Sequence, residues 1–255
     1  MKKTITTASG RYFLTDRIRE EVDFYSTPQS RGVRPPPVQK PVALGSKVIP
    51  LPTPATWTIP PCEMQSAIAN RESRRRFTAE SLSLEELAFL LWATQGVRAE
   101  LHEAAVLRTV PSAGCRHPFE TYLGVLRVTG LERGLYRYLP LDHALVLERD
   151  LPHLPSELTA ACRGQGFAGQ ASVTFLWTAV AARTEWRYAE ASYKVIALDA
   201  GHVCQNLYLA CEAIGAGTCA IAAYNQTLAD DLLGVDGNEE FTVYLAPVGK
   251  IDRES

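Results

Sequence analysis

The chain has 255 residues, 46% of them hydrophobic, enough for one sizeable core or two small domains. Its 26 basic residues against 28 acidic ones leave a net charge of −2, with no bulk electrostatic pull toward nucleic acid or an anionic membrane. Two lysines open the chain without an apolar run behind them, and the longest apolar run, near Val173 to Ala182, is too short to cross a bilayer, so neither a signal peptide nor a membrane span is expected.

Residues 1–60 read as a proline-rich extended arm, and residues 61–255 as one globular domain. In RPPPVQKPVALGSKVIPLPTPATWTIPPC, proline removes backbone donors and fixes φ, which favours extended chain over a packed layer. The scattered Val42, Leu44, Val48, Ile49, Leu51 and Trp57 suggest that the arm lies against a surface, a partner subunit's being one candidate. Residues 63–72 look helical and end in an arginine cluster. A second helix starts at SLEELAFLLWATQG, with Ser83 and Glu86 as a capping box and Gly96 as a stop. The stretches 119–128, 135–138 and 144–148 read as a meander of strands, 151–163 as a helix, and ASVTFLWTAVA as a buried strand. In LDAGHVCQNLYLACEAIGAG (198–217), Ala200, Val203, Leu207, Ala210 and Ile214 recur at helical spacing, which predicts a long buried helix capped by Asp199. FTVYLAPVGKI (241–251) is the last predicted strand. This order lacks the strand–helix alternation of a doubly wound sheet and fits an α+β layer fold.

Four stretches are candidates for chemistry. In NRESRRRF, four arginines within six residues stand beside a serine, which suits either a phosphate clamp or a solvated basic face. PSAGCRHP holds Cys115 and His117 in a proline-fenced loop, either a thiol–imidazole pair or a rigid backbone whose Ala-Gly approaches a flat ligand. RTEWRYAEASYKV gathers cationic and aromatic groups after a buried strand, as a pocket mouth or an ordinary amphipathic helix. GAGTCAIAAYN offers small residues that could lie along a planar ring or make a tight connection, and it is no GxGxxG. The six cysteines show neither CxxC spacing nor zinc-finger pairing with histidine, so no metal site is expected and the setting reads as reducing and cytoplasmic.

The ordered set RESRRRF, LSLEELAFLLWATQG, RTVPSAGCRHPFETYLGV, GLYRYLPLDHAL, TEWRY, LDAGHVCQNLYLACEAIGAGTCAI and EEFTVYLAPVGK resembles the SagB-type dehydrogenase branch of the nitroreductase family, over about residues 60–250. The resemblance implies a nitroreductase-like α+β fold, a central, mainly antiparallel sheet wrapped by helices. It also implies a homodimer with FMN at its interface and two-electron transfer through flavin N5. By the same resemblance Arg71, Ser73 and Arg75 would hold the phosphate and ribityl side of FMN. Pro111, Ser112, Ala113 and Gly114 would pack on the flavin ring, from the other subunit. Ala220, Ile221 and Ala222 would pass the ring, and Gly249 and Lys250 would return near the phosphate. Tyr188 and Arg187 match the catalytic pair, which azoline-oxidising members commonly fill with tyrosine and lysine. Arginine stays charged and cannot serve as a base near neutral pH. The implied substrate is an azoline in a modified peptide, handled with a biosynthetic partner enzyme, or a small electron-poor acceptor reduced with NAD(P)H. A flavin-binding subunit without turnover is the third option.

Overall fold

The computed structural model describes residues 6–102 and 105–252. Its centre is a seven-stranded sheet in the order β1-β6-β5-β4-β7-β9-β8, all of whose neighbours pair antiparallel. These strands are β1 (Val48–Pro50), β4 (Phe119–Val125), β5 (Gly134–Leu139), β6 (Ala144–Arg149), β7 (Val173–Val180), β8 (Ala216–Thr218) and β9 (Glu240–Lys250). A separate hairpin pairs β2 (Val97–His102) with β3 (Ala105–Arg108). The fold is therefore the expected nitroreductase-like α+β arrangement.

Helices cover both faces of the sheet. Along β7, Val173, Phe175, Trp177 and Ala179 face one way, as strand alternation requires, and join a core built by α4 (Leu84–Gln95) and α7 (Ser192–Ala213). Leu176 points the other way, onto α5 (Leu154–Ala161) and α8 (Gln226–Leu233), through Leu158, Ala229 and Leu232. Each large side chain buried in these layers contributes about 1.5–3 kcal/mol. The predicted capping box starts α4, with Glu86 N donating to Ser83 Oγ at 3.1 Å and Ser83 N to Glu86 Oε2 at 2.9 Å.

Within the stretch read as an extended arm, the start is partly helical. α1 (Thr7–Leu14) and α2 (Ile18–Glu21) carry no buried residue. From residue 33 to 63 there is no helix, and β1 within that stretch becomes the edge strand beside β6. α3 (Met64–Asn70) then stops just before Arg71, and the remaining helix, α6 (Ala182–Tyr188), follows β7 directly.

Candidate active site

Three stretches far apart in sequence meet along the β8 edge of the sheet. Ser73 bridges to Thr218, Arg74 N donates to Thr218 O at 2.9 Å, and Thr78 N donates to Lys250 O at 2.9 Å. So close an approach needs glycine, because a Cβ on Gly217 would stand 2.6 Å from Arg74 Cγ and one on Gly249 2.8 Å from Phe77 Cγ. Tyr208 of α7 pins the junction: its Oη lies 3.0 Å from Ser73 Oγ and accepts the Ala220 amide at 2.9 Å. The Arg71 guanidinium lies 5.5 Å over the Tyr208 ring. Ser73 and Arg75 line a cleft of about 400 Å³ together with Arg74, Arg76 and Ile251. Arg74 pairs with Glu72 at 2.5 Å, but its buried Nε has no hydrogen-bond partner among the described residues.

The other residues of this group divide. Ala222 is exposed and Ala220 half-buried, whereas the Ile221 side chain is in the core and its backbone pairs with Leu245. The Lys250 ammonium is held by Glu86 and by the Ile214 carbonyl, tying the last strand to the α4 cap.

The Pro111–Gly114 loop belongs to a second cluster. α7 begins at Ser192, six residues before the predicted start, so Asp199 lies inside the helix and does not cap it. Its carboxylate, 5% exposed, instead accepts Ser112 Oγ at 2.6 Å and the Ala113 amide at 3.3 Å. Burial pushes the Asp199 carboxyl above its ordinary value, against the pull of those two bonds. Gly114 has φ +59°, and a Cβ there would meet Arg187 Cδ and Tyr188 Oη, each at 2.8 Å. The loop thus touches both predicted catalytic residues. Two guanidinium groups lie near the Tyr188 ring, Arg187 at 5.7 Å and Arg19 of α2 at 5.5 Å from its centroid. Left-handed backbone at Cys115 (φ 55°), His117 (φ 45°) and Ala189 (φ 44°) concentrates strain around these residues, a frequent mark of functional sites.

The thiol–imidazole option for this loop gains no support. His117 Nε2 donates to the Val106 carbonyl at 3.1 Å, and burial, then the Arg108 charge, lowers its pKa to about 3. No hydrogen bond joins Cys115 to His117 among the described residues. Arg116 is buried, with Nε donating to Gly114 O at 2.9 Å and its guanidinium 4.9 Å over the Trp186 ring.

Asp199 and Tyr208 are nine positions apart on α7, about 14 Å along its axis, so the two clusters occupy separate stretches of one helix. Beside them lies a cavity of about 520 Å³ bounded by Phe13, Tyr193, Ile196, Ala222, Phe241 and Tyr244. Sequence reasoning missed Tyr208 as the pin, Asp199 as the loop's anchor, and Arg19 and Phe13. No spacing rule connects these positions to the motifs they serve, since each acts across the tertiary fold.

The antiparallel sheet between helix layers, with cationic and small residues laminated on its β8 edge, defines a nitroreductase-like class. A family model described as "Nitroreductase family" matches residues 68–250, and the chain belongs to that family, whose members are flavin-dependent oxidoreductases. The nitroreductase candidate MJ1384 of Methanocaldococcus jannaschii is 32% identical over 190 residues, covering 74% of this chain and 91% of that protein. The trifolitoxin-processing protein TfxB of Rhizobium leguminosarum bv. trifolii is 30% identical over 139 residues, 51% of this chain and 36% of that one. A crystal structure of a nitroreductase candidate from Ralstonia eutropha JMP134 superposes with a TM-score of 0.67 at 26% identity, covering 86% of this chain and 95% of that one. No helix among the described residues is long and apolar enough to cross a membrane.

Proposed function

We propose that the chain is an FMN-dependent oxidoreductase of the SagB-type branch, acting as a homodimer with FMN at the subunit interface. The observation that carries this reading is the meeting of residues 71–78, 217–220 and 249–250 around Tyr208. The residues present fit FMN. Guanidinium groups and the Ser73 hydroxyl suit a phosphate, and Arg74 Nε, unpartnered among the described residues, leaves a buried donor beside them. Ala220 and Ala222 present little bulk to a flat ring. When bound, FMN supplies two-electron chemistry at its N5 position.

Arg71, Ser73 and Arg75 would hold the phosphate and ribityl end. Lys250 serves by fixing the end of β9 through Glu86, and Gly249 by letting Phe77 close over it. Pro111–Gly114 would cover the ring from the partner subunit, a division of labour that the distance between the two clusters on α7 supports. Asp199 keeps that loop in shape. Tyr188 presents a hydroxyl to the substrate, and Arg187 contributes a fixed positive charge, not a base.

The first substrate reading is an azoline in a modified peptide, with a biosynthetic partner enzyme; the kinship with a trifolitoxin-processing protein supports it. Arg187, standing where azoline oxidases commonly carry lysine, favours the second: NAD(P)H-dependent reduction of nitroaromatics, quinones or enones. The six free thiols fit a reducing, cytoplasmic setting.

The test is titration with FMN, followed by flavin fluorescence. Wild-type protein is expected to bind FMN at one per chain, and Arg71→Ala with Arg75→Ala to weaken binding by roughly tenfold or more, as charged hydrogen bonds are lost. Protein that ignores FMN overturns the reading, and unchanged affinity in the double variant removes the clamp. Anaerobic addition of NADH, NADPH or a thiazoline peptide to the loaded protein then separates the two substrate readings by which one bleaches the flavin.

A further inference from the structure

Residues 6–67 precede the span that the family model matches, and Gln29, Val33 and Pro37 among them bond to the helix that carries Tyr188. Their attachment is uneven. Residues 27–41 are clamped. Gln29 N donates to Trp186 O at 2.9 Å, and Trp186 Nε1 donates to Val33 O at 2.7 Å. Three arginines, each 3–4% exposed, then hold successive carbonyls of the strap: Arg183 that of Pro37 at 2.7 Å, Arg108 that of Val38 at 2.9 Å, and Arg137 those of Lys40 and Pro41 at 3.2 and 3.0 Å. The Lys40 amide donates to Glu120 at 3.0 Å, and the Lys40 ammonium pairs with Glu240.

Residues 6–26 are held quite differently. None of α1 or α2 is buried, and among the described residues the hydrogen bonds of this head stay within residues 6–30. What it touches outside itself is the site: Arg19 lies over the Tyr188 ring, Asp16 stands 3.8 Å from Lys194, and Phe13 walls the cavity that Tyr193, Ile196 and Ala222 also line.

We propose that residues 6–26 are a lid on the substrate side of Tyr188, swinging on a strap fixed at residues 27–41, with Phe13 as a specificity-determining residue and Arg19 as a positioning residue for Tyr188. A lid must open at small free-energy cost, which a head without buried side chains or backbone bonds to the body allows. Its base must not drift, and buried guanidinium–carbonyl bonds ensure that. Closed, the lid narrows the cavity to a slot with an aromatic wall, suited to a planar ring. Open, it admits a longer chain bearing such a ring. The lid builds on the placing of Tyr188 toward substrate, so its test reads the lid without cofactor or turnover.

Hydrogen exchange on the full chain is expected to be at least tenfold faster at amides of residues 7–21 than at the bonded amides of Gln29, Val33 and Lys40. Nitration of Tyr188 by tetranitromethane, followed by peptide mass spectrometry, reads the closed state. Phe13→Ala with Arg19→Ala is expected to raise the Tyr188 nitration rate at least threefold at unchanged melting temperature, and Arg19→Lys, which restores a cation over the ring, to bring it most of the way back. Exchange as slow in 7–21 as in the strap, or a nitration rate indifferent to both variants, overturns the lid. Failure to bind FMN would instead refute the cofactor reading and leave these two measurements untouched.

Discussion

His117 is 3% exposed and gives its Nε2 proton to the Val106 carbonyl at 3.1 Å. Burial first, then the charge of Arg108, lowers its pKa from 6.5 to about 3, so it is neutral in the fold and would be protonated in the unfolded chain below pH 6.5. The unfolded state therefore binds more protons between pH 6.5 and about 3. The stability that His117 contributes is present above that window and is lost as the pH falls through it, by up to roughly 1.4 kcal/mol per pH unit. His117→Gln, which can still donate to Val106, is expected to flatten the decline. Urea denaturation at neutral and mildly acid pH, wild type against variant, checks this; equal slopes would show that the imidazole does not set the acid response. The same burial is why Cys115 and His117, two positions apart in the sequence, make no dyad: the ring is spent on the β3 backbone.

The long helix was legible from its stripe of Ala200, Val203, Leu207 and Ala210, because a buried face leaves a period that neighbours cannot hide. Its start was not: Ser192–Leu198 mixes apolar and charged residues and carries no capping signal, which left Asp199 looking terminal. The meander, β7 and β9 were readable from their β-branched and aromatic runs, whereas β1 and β8, three residues each, fall among prolines and glycines and pair only through tertiary contact. Of the candidate site, the separate motifs were visible and their convergence was not. Asp199 shows the physical reason, since it couples a helix to a loop 86 and 87 positions away through two hydrogen bonds. Asp199→Ala is expected to leave the Ser112 hydroxyl and the Ala113 amide short of a partner, costing about 1–3 kcal/mol of stability and raising hydrogen exchange across residues 112–117. A double-mutant cycle with Ser112→Ala measures the coupling, which is expected to be about 1 kcal/mol; a value of zero would mean that the loop holds its strained backbone without the helix.

At the scale of the whole molecule, one buried carboxylate joins the strap, the sheet and the candidate catalytic helix. Glu120 of β4 is 2% exposed and pairs with Arg183 of α6 and, at 3.5 Å, with Arg137 of β5, while accepting the Lys40 amide. Glu240 repeats the pattern two strands away on β9, accepting Tyr122 Oη at 3.1 Å and Thr178 Oγ1 at 2.6 Å beside its pair with Lys40. Charges so buried are tolerable only because each has a partner of opposite sign and further hydrogen bonds. Glu120→Gln keeps the shape and an acceptor for Lys40 but leaves two guanidinium groups facing a neutral amide. The expected loss is about 3–5 kcal/mol, which at roughly 2–4 °C per kcal/mol lowers the melting temperature by about 10 °C. Because Arg183 and Arg137 also carry the strap, the loss should be accompanied by faster exchange at Lys40, while the α4 cap on the far side of the core keeps its protection. A variant that melts earlier with the strap still protected would mean that the arginines hold the strap's carbonyls without help from Glu120. One that melts like wild type would mean that the ion pairs contribute no more than a neutral hydrogen-bond network of the same shape.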